Sequence, residues 1–373
     1  MTATPSSSGG ISDTQRTAES TPSFEVWSGG GYELAEGTRW LGDHLIFTDI
    51  LAGVLLAAPA AGPGAARPLV SLDVPLGAVA PVAGQPGTWI AAAGTGIALI
   101  GPDGTLSWLD RPEDQSPVSM RMNDGCCDPG GRFWAGSMAY DAVEGAGSLY
   151  RADANGAVTR VLDGMTIVNG PAFTADGTRM YMADTFAGLI YVCDVDPRSG
   201  ELSGHRVFAE VPSADGSPDG MTVDDAGRLW VALWDGSAVR CYRPDGTVEA
   251  TVPVPAQRPT CVCLGGGALF VSTAGFEISD PAPGDGAILC ARSDSAPAGS
   301  ALAGASAAPA AAFRLSLPPR RRARPRRARS DPLRSVPGCA RSNPPGSARP
   351  VHSAPPLRGH RPVRRRAASA CTH

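Results

Sequence analysis

The sequence contains no lysine; all 32 of its basic residues are arginine. Schiff-base chemistry through a lysine amine is thereby excluded. No run of 18 or more apolar residues occurs, so no membrane-spanning helix is expected. The first 23 residues are Ser/Thr-rich, lack the apolar stretch of a secretory signal, and read as a disordered lead-in. Residues 1–317 hold only two histidines, His44 and His205, neither in a metal or nucleophile motif. A GxSxG elbow is absent. The glycine runs Gly29–Gly31 and Gly265–Gly267 lack the following helix and lysine of a phosphate loop, and read as turns. Nine cysteines form no CxxC pair and no zinc-ligand spacing. Without an export signal, they are expected to be reduced, buried thiols of a cytoplasmic protein.

What the chain has in abundance is glycine and proline, 46 and 35 residues. Both are costly inside helices and suit short strands joined by tight turns. A turn of the type Asp-x-Gly followed by an apolar or aromatic strand recurs at Asp128–Ser137, Ala175–Asp184, Asp225–Ala232 and Gly265–Thr273, with a degenerate copy at Gly42–Ile50. Asp and Gly tolerate the left-handed backbone that hairpins need, and the alternating residues after them build half-buried strands. Second hairpins lie between the copies, at Gly147–Ala152, Leu189–Cys193 and Ala238–Tyr242. A period in the forties with several strands per unit predicts an all-β six-bladed β-propeller, since about 290 ordered residues divided by about 45 gives six. The predicted domain spans residues 24–317 and ends on a strand at Ala311–Leu317.

Charge divides the chain. Residues 1–317 carry 17 arginines against 35 acids, a balance of −18, whereas residues 318–373 carry 15 arginines against Asp331 alone, a balance of +14. The Arg/Pro/Ala-rich tail has no periodicity and cannot bury enough apolar area to fold alone. An arginine run can bind phosphate backbones through counterion release. Here no aromatic interleaving or fold surrounds it, so a nucleic-acid partner is not expected. A plain disordered extension is a second reading. The favoured one is a segment translated out of frame, because GC-rich DNA yields Arg, Pro, Ala, Ser and Gly in every frame and the missing lysines fit such a source.

Oxygen-bearing side chains in specific contexts are the candidate site. Glu36 stands between Leu34-Ala35 and Gly-Thr-Arg-Trp40. Arg121-Met-Asn-Asp-Gly125 packs a guanidinium, an amide and a carboxylate into one short loop. Asn169-Gly-Pro171 puts an amide at a tight turn, and Pro218-Asp-Gly-Met221 puts a carboxylate just before a strand. Equivalent positions in successive blades point at one end of the central channel. Any one of these residues alone would most often stabilise a turn. Together, Glu36, Asn169 and Asp219 form a hard-oxygen set suited to Ca2+, Mg2+ or Mn2+. Arg121 is then the only basic candidate in the site.

The same stretches, with Glu-Gly-Thr-Arg-Trp40, Arg121–Met138, Asn169-Gly-Pro with Tyr181–Thr185, Pro218–Asp224 and Pro-Thr-Cys-Val-Cys-Leu-Gly-Gly266, resemble the senescence-marker-protein/gluconolactonase (regucalcin-like) family from about Val26 to Leu317. The resemblance implies a six-bladed propeller with one divalent ion (Ca2+, Mn2+, Mg2+ or Zn2+) in the channel, held by Glu36, Asn169 and Asp219. It implies substrate contacts at Arg121 and Asn123, and more weakly at Asp141, and metal-assisted hydrolysis of a sugar lactone, with Asp219 accepting a proton from the attacking water. Three departures stand out: Thr38 where the family usually has Pro, the adjacent Cys126 and Cys127, and the tail. Two other readings stay compatible with these residues: a non-catalytic Ca2+- or ligand-binding propeller, and a hydrolase of another ester or lactone.

Overall fold

The computed structural model describes residues 22–59, 61–293 and 300–316. Residues 1–21 of the expected lead, and the tail at 318–373, lie outside the described residues. Short alternating runs closed by glycine-bearing turns give 24 strands in six four-stranded antiparallel sheets. The one helical piece among the described residues is a 3-10 turn at Ser213–Asp215.

Strand β1 (Glu25–Gly29) comes first in the chain but belongs to the last sheet. Blade 1 holds β2 (Ala35–Trp40), β3 (Leu45–Asp49), β4 (Val54–Ala58) and β5 (Arg67–Ser71). Blade 2 holds β6 (Leu76–Pro81), β7 (Trp89–Ala93), β8 (Gly96–Ile100) and β9 (Leu106–Asp110). Blade 3 holds β10 (Met120–Cys127), β11 (Phe133–Ala139), β12 (Gly147–Ala152) and β13 (Val158–Met165). Blade 4 holds β14 (Val168–Phe173), β15 (Arg179–Asp184), β16 (Leu189–Val195) and β17 (Leu202–Glu210). Blade 5 holds β18 (Ser217–Val223), β19 (Leu229–Trp234), β20 (Ala238–Tyr242) and β21 (Val248–Pro253). In blade 6, β22 (Pro259–Gly265), β23 (Ala268–Thr273) and β24 (Ala287–Arg292) are completed by β1, with Glu25 opposite Cys290.

The first strands of the blades pack side by side around a channel, and β22 closes onto β2. The core lies between blades. Trp134 and Leu149 of blade 3 pack on Met180, Met182 and Cys193 of blade 4, and Phe133 and Tyr150 pack on Ala80 and Ile90 of blade 2. The fourth strands face solvent, as the exposed residues of β13 and β17 show.

The repeated turn has a common anchor. Asp128 accepts the Arg132 amide at 2.9 Å on Oδ1, and the Arg132 Nε at 2.6 Å and Trp134 Nε1 at 3.0 Å on Oδ2. Two blades on, Asp224 accepts the Arg228 amide at 2.9 Å, Arg228 Nε at 2.7 Å and Trp230 Nε1 at 2.9 Å. The structural repeat therefore starts at Asp224 rather than at Asp225, and each aspartate pins the arginine and tryptophan that follow its turn.

The strand expected at Ala311–Leu317 is not part of any blade. The last blade strand is β24, and residues 300–316 run as a strap over the end of the channel where the first strands finish. Phe313 makes a single parallel bridge to Val82 and is fully buried; Ala310 N bonds Trp40 O, and Arg314 N bonds Gly131 O, each at 2.9 Å. The fourth place in the blade-6 sheet is already taken by β1.

Candidate functional site

The loop expected at Arg121–Gly125, the turn at Asn169–Pro171 and the strand approach at Pro218–Met221 all lie inside strands, β10, β14 and β18. Each of these strands carries a β-bulge at its polar residue: the register breaks between Met122 and Gly125, Asn169 and Ala172, and Pro218 and Met221. Strand β2 breaks likewise between Glu36 and Arg39. A bulge inserts one unpaired residue and re-aims its side chain. Turn-type residues, Asn-Gly and Asp-Gly among them, thus serve here to tilt polar groups into the channel from first strands. Gly77 of blade 2 brings no side chain; a Cβ there would lie 2.1 Å from Asn123 O, so its bareness lets β10 come close.

Glu36, Asp219 and Asn169 are all enclosed, at 3%, 4% and 4% exposure, and Asp124 is fully so. The Glu36 and Asp219 carboxyls are close enough to perturb one another, and Glu36 Oε2 accepts the Gly37 amide at 2.8 Å. Burial, then the charge of Asp124, pushes Glu36 up to about 8. Burial, then Glu36, holds Asp219 well above the usual carboxylate range. Burial also raises Asp124, against the pull of Arg39. Asn169 Oδ1 accepts from Asn123 Nδ2 at 2.7 Å, and its Nδ2 donates to Thr185 Oγ1 at 2.8 Å, which donates to Pro218 O at 2.7 Å. Arg121 Nη1 donates to Asn123 Oδ1 at 2.6 Å and to Met122 O at 3.1 Å. One chain of hydrogen bonds therefore runs from Arg121 through both asparagines to blade 5.

Asp141 stands apart from this network. It is exposed on the β11–β12 loop, at the face where the first strands begin. The same face carries two exposed aromatic side chains, Tyr140 on that loop and Phe186 after β15.

Arg121 is not the only base in the channel. Arg39 Nη2 donates to Asp124 Oδ1 at 3.2 Å and to Gly125 O at 2.9 Å, while its Nη1 meets Thr38 O at 2.8 Å and Cys261 Sγ at 3.3 Å. Glu36, Asp124 and Cys261 offer ligand atoms that all lie within 4.8 Å of one another. In the sequence, Arg39, Asp124 and Cys261 stand within the Glu36–Trp40, Arg121–Met138 and Pro259–Gly266 stretches with no mark of their own. Their roles follow from bulge geometry, which no residue type announces. Thr38 is fully buried in β2 with its Oγ1 unpartnered. It borders a cavity of about 230 Å³ at the strap end, lined also by Arg39, Cys126 and Cys263.

Three enclosed carboxyls beside one directly paired guanidinium cannot all ionise away from water at low cost unless a cation joins them, which is why all three are raised. Asp219 Oδ1 and Asp124 Oδ2 have no hydrogen-bond partner. Hard oxygen donors with free lone pairs match a divalent cation, so the residues present fit one at Glu36, Asn169 and Asp219.

Comparison with known proteins places this geometry. Residues 34–275 match the family described as SMP-30/Gluconolactonase/LRE-like region. The chain is 41% identical over 169 residues to pentonolactonase XacC of Haloferax volcanii, covering 44% of this chain and 57% of that protein. It is 39% identical over 178 residues to L-arabinolactonase of Azospirillum brasilense, covering 46% of this chain and 59% of that protein. These matches thus span well under two thirds of either relative. The crystal structure of a calcium-binding protein, regucalcin, from Agrobacterium tumefaciens superposes with a TM-score of 0.67 at 28% identity, covering 72% of this chain and 93% of that one. With the six blades, the bulged first strands and the family match over most of the propeller, this chain belongs to the SMP-30/gluconolactonase/LRE-like family.

Proposed function

We propose that this protein hydrolyses a sugar lactone of the aldono-lactone class, with a divalent cation at Glu36, Asn169 and Asp219. The observation that carries the reading is the enclosed carboxyl group with two unpartnered oxygens, set beside the Arg121 guanidinium that Asn123 holds in place. The names of the pentonolactonase and L-arabinolactonase relatives support the substrate class, and that of the calcium-binding regucalcin supports the cation.

When bound, such a cation supplies Lewis-acid polarisation of a carbonyl, a more acidic water, and a field that keeps nearby carboxylates ionised. Ionised Asp219 is the group placed to accept a proton from the attacking water. Both hydrogen bonds of Arg121 run through Nη1, so Nη2 and Nε serve to orient sugar hydroxyls. Asn123 is fixed by Arg121 on one side and by Asn169 on the other, which holds its amide in one orientation.

The test is a pH-drop assay on glucono-, galactono- and xylono-lactones, with and without EDTA, on the wild type and on Asp219→Ala. Turnover that EDTA removes and Asp219→Ala lacks is the expected result. Cation-dependent thermal stabilisation with no turnover on any lactone would overturn the enzyme in favour of a binding propeller.

A further inference from the structure

Cys261 is the group in the channel that the lactonase reading leaves unused. It sits at the bulge of β22, where the register breaks between Pro259 and Cys261, and its amide is held at 3.2 Å by Ser272 Oγ. Opposite it lies Gly220, next to Asp219. A Cβ on Gly220 would fall 2.7 Å from the Cys261 Cβ and 2.8 Å from its sulfur, so the missing side chain makes the space the thiol occupies. The sulfur and one oxygen each of Glu36 and Asp124 stand within 4.8 Å of one another, all three residues buried.

Arg39 holds two of these donors from behind. Its guanidinium takes Asp124 Oδ1 at 3.2 Å and Cys261 Sγ at 3.3 Å. Oδ1 also accepts the Gly125 amide at 2.7 Å. Asp124 Oδ2 is left with no partner inside a fully enclosed residue, which is the mark of an oxygen awaiting a ligand.

We propose that Glu36, Asp124 and Cys261 form a mixed oxygen–sulfur seat for a borderline-soft divalent cation, Zn2+ or Cd2+, alongside the all-oxygen set Glu36, Asn169 and Asp219. A sulfur donor selects zinc-group ions, whereas Ca2+ and Mg2+ take oxygen. Ligand distances of about 2.0–2.3 Å space tetrahedral donors roughly 3.3–3.8 Å apart, so donors within 4.8 Å of one another need to close by at most about 1.5 Å. Binding releases the thiol proton to solvent and leaves sulfur, as thiolate, on the ion. Because Glu36 belongs to both sets, an ion in the thiol seat weakens Ca2+ binding, and Ca2+ weakens Zn2+ by the same factor. The seat is independent of the lactonase reading, since its signals need no substrate.

The experiment uses the full chain carrying Cys339→Ser and Cys371→Ser, so that those two thiols contribute nothing. Titration with Cd2+ should raise the ultraviolet thiolate-to-cadmium charge-transfer band, and Ca2+ should compete with it. Cys261→Ser should abolish the band and weaken Zn2+ binding at least about tenfold, while changing Ca2+ affinity less than about twofold. Cys126→Ser and Cys263→Ser should each retain the band. X-ray absorption on the protein loaded with one equivalent of Zn2+ should show one sulfur neighbour, a readout that needs no variant at Cys261. An all-oxygen shell around zinc, a band that survives Cys261→Ser, or a band lost in Cys126→Ser or Cys263→Ser overturns the seat. Absence of lactone turnover leaves it standing.

Discussion

Arg39 of blade 1 and Asp124 of blade 3 pair at 3.2 Å inside the channel, with blade 2 between them contributing only the bare Gly77 at that level. The pair joins two non-adjacent blades, and the Asp124 carboxylate is fully enclosed while Arg39 is only slightly exposed. Arg39→Met should lower the unfolding free energy by about 3–5 kcal/mol, because it strands a buried carboxylate. Adding Asp124→Asn should recover much of that loss. A double-mutant cycle by urea denaturation checks it; additive losses would deny the coupling.

Without a cation the site has a pH signature. Glu36 rises in the fold from 4.5 to about 8, so the folded protein keeps a proton that the unfolded chain releases. Stability from this group is fully present below the unfolded value and is lost as pH rises through the folded one. In EDTA, Tm should therefore fall between pH 4.5 and 8. Saturating Ca2+ or Mn2+ should flatten the fall. A Tm in EDTA that climbs over that range would contradict the carboxylate environment described.

Arg121→Leu should lower kcat/KM by about 10- to 100-fold, mainly through KM, as expected for losing charged hydrogen bonds to substrate. Steady-state kinetics on the best lactone reads this directly. A change below about twofold would remove Arg121 from the substrate contacts.

Cys126 and Cys127 are adjacent in sequence but unpaired, and the Cys126 thiol donates to Pro171 O at 3.0 Å. Burial pushes Cys126 up to about 12. At pH 8 roughly one such thiol in ten thousand is then thiolate, so alkylation of the native protein should be slow there and fast after unfolding. Mass spectrometry of iodoacetamide-pulsed protein measures both rates; equal rates would mean an open, reactive thiol.

Phe313 tests the strap. Removing its fully buried ring with Phe313→Ala should cost about 3–5 kcal/mol, read by denaturant unfolding. A loss under about 1 kcal/mol would mean the strap adds little to the propeller.

The six-blade architecture was legible because the glycine-bearing turns and the aromatic residue after each repeat every 40 to 49 residues, about the length of one four-stranded unit. Blade 2 escaped the repeat count, since Gln85–Thr88 makes its turn with no aspartate anchor. Glu36, Asn123, Asn169 and Asp219 stood out in the sequence by residue type, but the last three as parts of a loop, a turn and the approach to a strand rather than at the strand bulges where they lie. Arg39 and Cys261 were not, because their meaning rests on a pairing 222 residues apart in sequence. Of the strap, the stretch Ala311–Leu317 reads as a last strand because its apolar Phe313 and Leu315 alternate like one, while the sheet it would join already has its four strands.

The joining of β1 to β24 has a consequence for a chain being made. The first strand leaves the ribosome early, yet its partner emerges only after five blades have been synthesised. Drawing such distant segments together costs on the order of 5 kcal/mol in chain entropy, which the docked blade must outweigh. Until β24 arrives, β1 has no sheet to join, and both of its edges are open to pairing with another chain.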